Sequence, residues 1–315
     1  MNILITGGAG FIGSHIADHL IEKKHRVIIV DNLSSGFRHN LSPQTKFYKL
    51  DIRSPRLLTT MKKEKVEIIY HCAAQMDVRR SVADPLNDAD INVMGTLNLL
   101  QCAVKTKVKK IIFSSTGGAI YGEQNQYPAP ENHALQPLSP YGISKLCTEK
   151  YLYFYRQTHG LDYVILRYAN VYGPRQNPFG EAGVVAIFCH KLLRGEQPTI
   201  NGDGKQTRDF VFVKDVAHAN LLALEYSQND IFNVGTGQET DINELFNHLN
   251  QLTGNLAQKQ HGQAAEGEQR RSVLDYQKIK HYLDWEPGIS IKEGLALTVD
   301  FFRKTEKRKN NTIRL

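Results

Sequence analysis

Three glycines between an apolar run and a helical pattern limit this chain more than any other feature. Asn2-Ile3-Leu4-Ile5 reads as a strand, Thr6-Gly7-Gly8-Ala9-Gly10-Phe11-Ile12-Gly13 as a tight turn, and Ile12, Ile16, Leu20 and Ile21 recur at helical spacing. In that setting Gly7 permits the sharp turn, Gly10 lets the backbone approach a pyrophosphate, and Gly13 allows close helix packing. The helix N-terminus adds N–H groups and the positive end of a dipole. A second β-branched run, Arg26 to Val30, closes on Asp31, 18 residues after Gly13, near the spacing of an acid that holds an adenosine ribose. A carboxylate there accepts from the 2′- and 3′-hydroxyls and repels a 2′-phosphate, so NAD is favoured over NADP.

The rest of the chain fits a doubly wound parallel sheet of Rossmann type. Apolar runs at 46–50, 67–71, 110–113 and 163–166 alternate with helical patterns at 92–104 and 141–157. Asp51-Ile52 ends the third run, where it serves either to contact the adenine or as a plain strand-terminal acid. Turn chemistry crowds 172–204: Gly173-Pro174, Asn177-Pro178 and Asn201-Gly202-Asp203-Gly204. The predicted division is a dinucleotide-binding domain over 1–172, to which later segments return, and a smaller substrate-binding region over 173–315. The polar stretch 255–269 reads as a loop and 291–302 as a helix.

At 315 residues the chain exceeds one average domain. Its net charge of +7 points to nucleic acid only until the end is counted. From Arg303 onward six basic residues face Glu306 alone, so the charge belongs to a tail expected to fray, and no nucleic-acid partner is predicted. No apolar run reaches the ~20 residues of a membrane span, and the four scattered cysteines suggest neither zinc nor disulfides. A cytoplasmic protein with reduced thiols is expected.

Tyr141 and Lys145 lie four residues apart behind Pro140, a residue suited to a helix start. On a helix they share a face, where an ammonium stabilises phenolate and lowers the tyrosine pKa. Tyr141 then becomes a general base and Lys145 its activator.

At this point the residues resemble the extended short-chain dehydrogenase/reductase family over nearly the whole chain. The matching stretches are the glycine turn, Asp31-Asn-Leu-Ser-Ser-Gly36, His71-Cys-Ala-Ala-Gln75, Ser114-Ser-Thr-Gly-Gly-Ala-Ile-Tyr-Gly122, Tyr141-x-x-x-Lys145, Arg167-Tyr-Ala-Asn-Val-Tyr-Gly-Pro-Arg175 and Gly202-Asp-Gly-Lys-Gln-Thr-Arg-Asp209. The form from Thr116 to Gly122 looks most like UDP-glucose 4-epimerases. The resemblance implies that NAD is touched by Phe11, Ile12, Asn32, Ser35, Gly36, Cys72, Ala73, Ala74, Asn92, Ser114 and Tyr168, besides Tyr141, Lys145 and the residues above. It implies that Thr116 replaces a catalytic serine and bonds the sugar 4-oxygen and the Tyr141 phenol. Tyr141 would remove the 4-hydroxyl proton while hydride passes from C4 to NAD. The bound 4-keto sugar would then swing and take hydride back on its other face. Related dehydratases and decarboxylases carry an acid shortly after this position, whereas this chain has Gly117-Gly118-Ala119.

The same resemblance places Asn170 on the substrate diphosphate, Arg208 on its phosphate or the uridine ribose, and Phe179 to Val185, with Val184, and Thr199-Ile200-Asn201 around the uracil. Asn170 as a turn cap and Arg208 paired with Asp209 are the structural alternatives. Glu268 takes the place of an acid holding the ribose. A phosphate-binding arginine expected two residues before Gly267 is Ala265, with Arg270 or Arg271 as its substitute. Ser272 matches a gate beside the sugar C2 substituent, and a small gate implies room for an N-acetyl group.

No metal is predicted: His15 and His19 stand four apart with Asp18 between them, but no Glu follows His15 as in a zinc-protease site. His71 reads as a satisfied core histidine. Tyr151, Tyr153, Phe154 and Tyr155 suit either a homodimer interface or the core. Epimerisation of UDP-glucuronate, with Arg79 and Arg80 as the cation source, and a non-catalytic sensor are the competing functions.

Overall fold

Strands that are apolar along their whole length need cover on both faces, and helices supply it. The structure, a computed structural model, describes residues 1–179, 183–254, 257–264 and 269–312. Strands β1 (Asn2–Thr6), β2 (Arg26–Asp31), β3 (Lys46–Lys49), β4 (Ile68–His71), β5 (Lys110–Thr116) and β6 (Asp162–Tyr168) form one parallel sheet with an edge strand, Asp230–Val234. From that edge the order is β6, β5, β4, β1, β2, β3. Side-chain alternation divides the core. Ile3, Ile5, Val27, Ile29 and Tyr70 pack on one face, and Leu4, Ile28, Val30 and Ile69 on the other. The direction of winding reverses between β1 and β4, which opens a crevice at their carboxyl ends.

Two later segments join this body. Helix Val213–Glu225 packs on the helix Phe11–Glu22, and the edge strand pairs with β6, Phe232 opposite Leu166. A third core gathers Tyr172, Phe188, Phe210, Phe212, Phe246 and Leu295.

The boundaries differ from expectation where polar residues pair. β5 runs on to Thr116 because Ser114, Ser115 and Thr116 stand in register with Leu166, Arg167 and Tyr168. β3 ends at Lys49, so Asp51 and Ile52 occupy the turn beyond it. The expected helix at 92–104 opens as a wider π turn, Asp90–Met94, before Gly95–Lys105. Within the expected loop 255–269, Gln260–Gly262 forms a short strand beside Thr199–Asn201. The tail does not fray at Arg303: the last helix spans Ile291–Thr312. Arg303 donates to the Leu252 carbonyl (2.9 Å), and Glu306 lies 3.4 Å from His190 and 3.8 Å from Arg194. Among the described residues no helix is long and apolar enough to cross a membrane.

One buried ion pair ties the helix Pro140–His159 to the sheet. Arg167 Nη2 and Nε donate to the Glu149 carboxylate at 2.6 and 3.0 Å, and Ser115 Oγ donates to the same group at 2.6 Å. The remaining guanidinium donor reaches the Tyr121 hydroxyl and the Glu131 carbonyl. With both side chains at most 3% exposed, removing one strands the other's charge in the core. Glu149→Ala should therefore lose about 3–5 kcal/mol in urea denaturation. Glu149→Met/Arg167→Met should recover part of that loss, since neither charge is then left alone.

Candidate active site

The crevice at β1 and β4 is shaped by the glycine turn. Gly7 adopts a φ of +70°, and a Cβ there would lie 2.6 Å from the Ala73 amide nitrogen. Its freedom thus serves the turn and the close approach of the Cys72-Ala73-Ala74 loop. A Cβ on Gly13 would lie 2.5 Å from the Gly7 carbonyl oxygen, so the helix packs directly on the turn. Gly10 caps that helix without a side-chain bond, and its first turn, with Phe11 and Ile12, holds no acid. This arrangement suits an anion, so the residues present fit a dinucleotide pyrophosphate.

Asp31 closes β2 beside the turn. Its carboxylate accepts from the amides of Ala9 (3.0 Å) and Leu33 (2.7 Å), while burial raises its pKa. The loop that follows folds back, with Gly36 against Ala9 and Phe37 donating to the Ala9 carbonyl. Ser35 stays exposed on that loop. Asn32 donates to Asp51, which also accepts a forked pair of bonds from Arg53. Those donors hold the Asp51 carboxyl well below the usual carboxylate range. Ile52 is buried under Gly95.

On the other side stands the Tyr–Lys pair. Ser139 caps the helix by accepting from Gly142, and Pro140 takes the first turn. Lys145 Nζ lies 5.8 Å from the centre of the Tyr141 ring and 4.7 Å from that of Phe113, and it donates to the Ser114 carbonyl at 2.8 Å. Burial pulls the Lys145 pKa down to about 8. Ser114 Oγ meets Cys72 Sγ (3.3 Å) and the Tyr168 hydroxyl (3.2 Å), which accepts from Asn220. Thr116 ends β5 without spending its hydroxyl on the following helix. Thr116 Oγ1 and Asn170 Oδ1 border one space: a Cβ on Gly118 would lie 3.9 and 3.7 Å from them.

Asn92 is engaged within the protein. Its amide bonds Gln75 N, Gln75 O and Asp88 Oδ1, which fixes the loop after β4. Asp88 is the residue that the sequence reading missed. Fully buried, it also accepts from Gln75 Nε2 (3.1 Å) and from Ser144 Oγ (2.6 Å), inside the Tyr141–Lys145 segment. Its spacing of four from Asn92 was the available signal. Ser81 Oγ, accepting from the Tyr141 amide, and Phe113 were also missed.

The residues expected at a nucleotide sugar spread over the C-terminal region. Arg208 and Ser272 are in register on adjacent short parallel strands. Asp209 turns inward to Thr236, Gly237 and Leu274, and Arg208 Nη1 donates to the Thr207 carbonyl. Arg270 pairs with Asp203 at 2.8 and 2.9 Å and lines a cavity of about 290 Å³ with Asn201, Gln206 and Gln269. Arg271 pairs with Glu239 and lies over the Tyr127 ring. Val184 opens the helix Val184–Leu193. Ala265 and Glu268 lie outside the described residues.

His15 and His71 have structural partners. His15 meets the Pro174 carbonyl at 2.9 Å and burial takes its pKa down to about 4. His71 lies between Thr6 (2.7 Å) and Thr96 (2.9 Å). Among the described residues no group of three or more His, Cys, Asp or Glu could hold a metal ion.

A switch-point crevice with a glycine turn on one side and a Tyr–Lys helix on the other defines an extended short-chain dehydrogenase/reductase. More particularly, the chain belongs to the NAD-dependent epimerase/dehydratase family, whose model matches residues 3–235. It is 43% identical over 309 residues to the UDP-glucose 4-epimerase of Mycolicibacterium smegmatis, covering 96% of this chain and 99% of that one. Among solved structures, Thermotoga maritima UDP-glucose 4-epimerase with UDP-glucose is similar at a TM-score of 0.95 and 52% identity, over 97% of this chain and 100% of that one. Thermus thermophilus UDP-glucose 4-epimerase with NAD follows at 0.92 and 42%, over 96% and 99%.

Lys145, the expected activator of Tyr141, also bears on stability. Its folded pKa of about 8 lies below its ordinary value, so between those values the unfolded chain binds more protons and stability rises with pH. Its charge is thus unfavourable to folding at neutral pH. Lys145→Met should cut turnover by about 10²–10⁴-fold without lowering the denaturation midpoint at pH 7. Parental turnover should fall as pH rises past about 8, where Lys145 discharges.

Proposed function

We propose that this chain is an NAD-dependent isomerase that interconverts 4-epimers of a UDP-hexose, UDP-glucose and UDP-galactose first. The observation that carries this is the shared space bordered by Thr116 and Asn170, at the carboxyl edge of the sheet that presents the Tyr141–Lys145 helix, with Gly117-Gly118-Ala119 supplying no acid. Epimerisation needs a base, a hydride acceptor and a sugar free to turn. Elimination and decarboxylation need more.

NAD, when bound, supplies the hydride acceptor and returns the hydride. Gly7, Gly10 and Gly13 would hold its pyrophosphate, and Asp31 its adenosine ribose. Tyr141, as phenolate supported by Lys145, takes the proton from the sugar O4 and later gives it back. Thr116 bonds O4 and keeps it facing Tyr141. Asn170 and Arg208 hold the diphosphate, and a planar guanidinium suits that task. Ser272, 3% exposed beside Arg208, leaves room at C2, so UDP-N-acetylhexosamines fit as a second substrate pair.

The working form is a cytoplasmic homodimer. All four cysteines are free thiols. The helix Pro140–His159 exposes Ile143 (55%) and Phe154 (50%), and the adjoining π turn exposes Met94 (57%). These apolar groups lie on elements packed against each other, and such patches mark association surfaces.

Two measurements test these proposals. UDP-glucose, UDP-galactose, their N-acetylhexosamine counterparts and UDP-glucuronate, each incubated with enzyme and NAD and resolved by chromatography, should show interconversion of the glucose–galactose pair. Tyr141→Phe should abolish it. No turnover of any of them sinks the proposal. Ser272→Tyr should lower turnover of the N-acetyl pair at least about tenfold more than that of the plain pair. Ile143→Asp/Phe154→Asp should elute as a monomer with the parental circular dichroism spectrum, whereas a parent that is itself monomeric excludes the dimer.

A further inference from the structure

Gly118 is the second residue of the short helix Gly117–Ile120. Its neighbour Gly117 has a packing reason, because a Cβ there would lie 2.4 Å from Leu274 Cδ1. Gly118 has no such reason. A Cβ on it would meet only Asn170 Oδ1 at 3.7 Å and Thr116 Oγ1 at 3.9 Å, both ordinary contacts, and its φ lies outside the left-handed region. A helical glycine loses more chain entropy on folding than alanine. Neither packing nor backbone geometry repays that loss at Gly118. What the missing side chain does leave is room for about one methyl group between the Thr116 hydroxyl and the Asn170 amide, the two groups proposed to flank the reacting sugar.

We infer that Gly118 decides between two-way epimerisation and one-way oxidation, because its missing side chain is the room in which the 4-keto sugar turns. The inference rests on the 4-epimerase reading. In the first half of the cycle the C4–H bond breaks, its electron pair leaves as hydride to the nicotinamide, and the O4 proton goes to Tyr141. The second half returns both to the sugar, on the opposite face of C4, so no other reactant is consumed. Each half uses the same Tyr141 and Thr116. Only the turn between them needs free volume, so a side chain at 118 obstructs the turn and leaves the bond-making groups in place.

The test uses NAD-loaded enzyme mixed with UDP-glucose. Absorbance at 340 nm follows oxidation at C4, and chromatography follows UDP-galactose. Gly118→Ala and Gly118→Val should keep the parental rate of the absorbance rise and reach a higher standing amplitude. Interconversion should slow by about tenfold in the alanine variant, and by more in the valine variant. The melting temperature of Gly118→Ala should not fall below the parent's. Parental interconversion in the folded variants overturns the inference, and so does an equal loss of absorbance rise and interconversion. Tyr141→Phe and Thr116→Ala run alongside. If these keep parental turnover, the 4-epimerase reading itself has failed, a result distinct from failure at Gly118.

Discussion

The Glu149–Arg167 ion pair is the contact on which the rest of the site depends. It lies where the helix Pro140–His159 crosses β5 and β6, and its forked geometry sets both the distance and the rotation of that helix. A buried pair of this kind does little for net stability, because desolvation offsets most of the Coulomb gain. What it supplies is position. One turn before Glu149 stands Lys145, and one turn before that Tyr141, so fixing the carboxylate fixes the proposed base. Ser115 bonds the same carboxylate and Thr116 follows it, which brings the end of β5 into the same frame. Tyr121 and Asn233 extend the network to the edge strand.

Asp88 completes the frame from the other side. Its bonds to Ser144, Asn92 and Gln75 join the Tyr–Lys helix to the loop that closes on Gly7. The Tyr–Lys helix is therefore held by two separate buried carboxylates, Asp88 toward the loop after β4 and Glu149 toward β5 and β6. Neither carboxylate belongs to the proposed chemistry, and each has its oxygens engaged by donors from more than one element.

Local signals carried most of the fold. Glycine spacing, β-branched runs and helical periodicity each report a constraint acting within a few residues, so strand–turn–helix units and the parallel sheet could be read directly. Boundaries were misread where side-chain polarity and backbone pairing disagree. Ser114, Ser115 and Thr116 do not look like strand residues, yet their ladder with β6 extends β5. Arg303 and Glu306 look like a solvated tail, yet Leu252, His190 and Arg194 anchor them. The proposed base and its activator were legible because both lie on one helix, while the roles of Asp88 and Phe113 were not, since Ser144 and Lys145, the helix residues they meet, are distant in sequence.

By itself the sequence determined the class of the fold, the glycine turn suited to a dinucleotide and the shared helix of Tyr141 and Lys145, because each rests on local backbone geometry or on the pitch of a helix. Only the tertiary structure decided which side chains share a space. Thr116 and Asn170 are 54 residues apart, and Arg208 and Ser272 are 64 apart. They become neighbours through the folding of the strand ends and the register of short parallel strands. The same folding gives Gly117 a packing role and leaves Gly118 facing the Thr116 hydroxyl and the Asn170 amide at ordinary contact distance. No spacing rule could separate those two glycines, because the difference lies in which distant atoms each one faces.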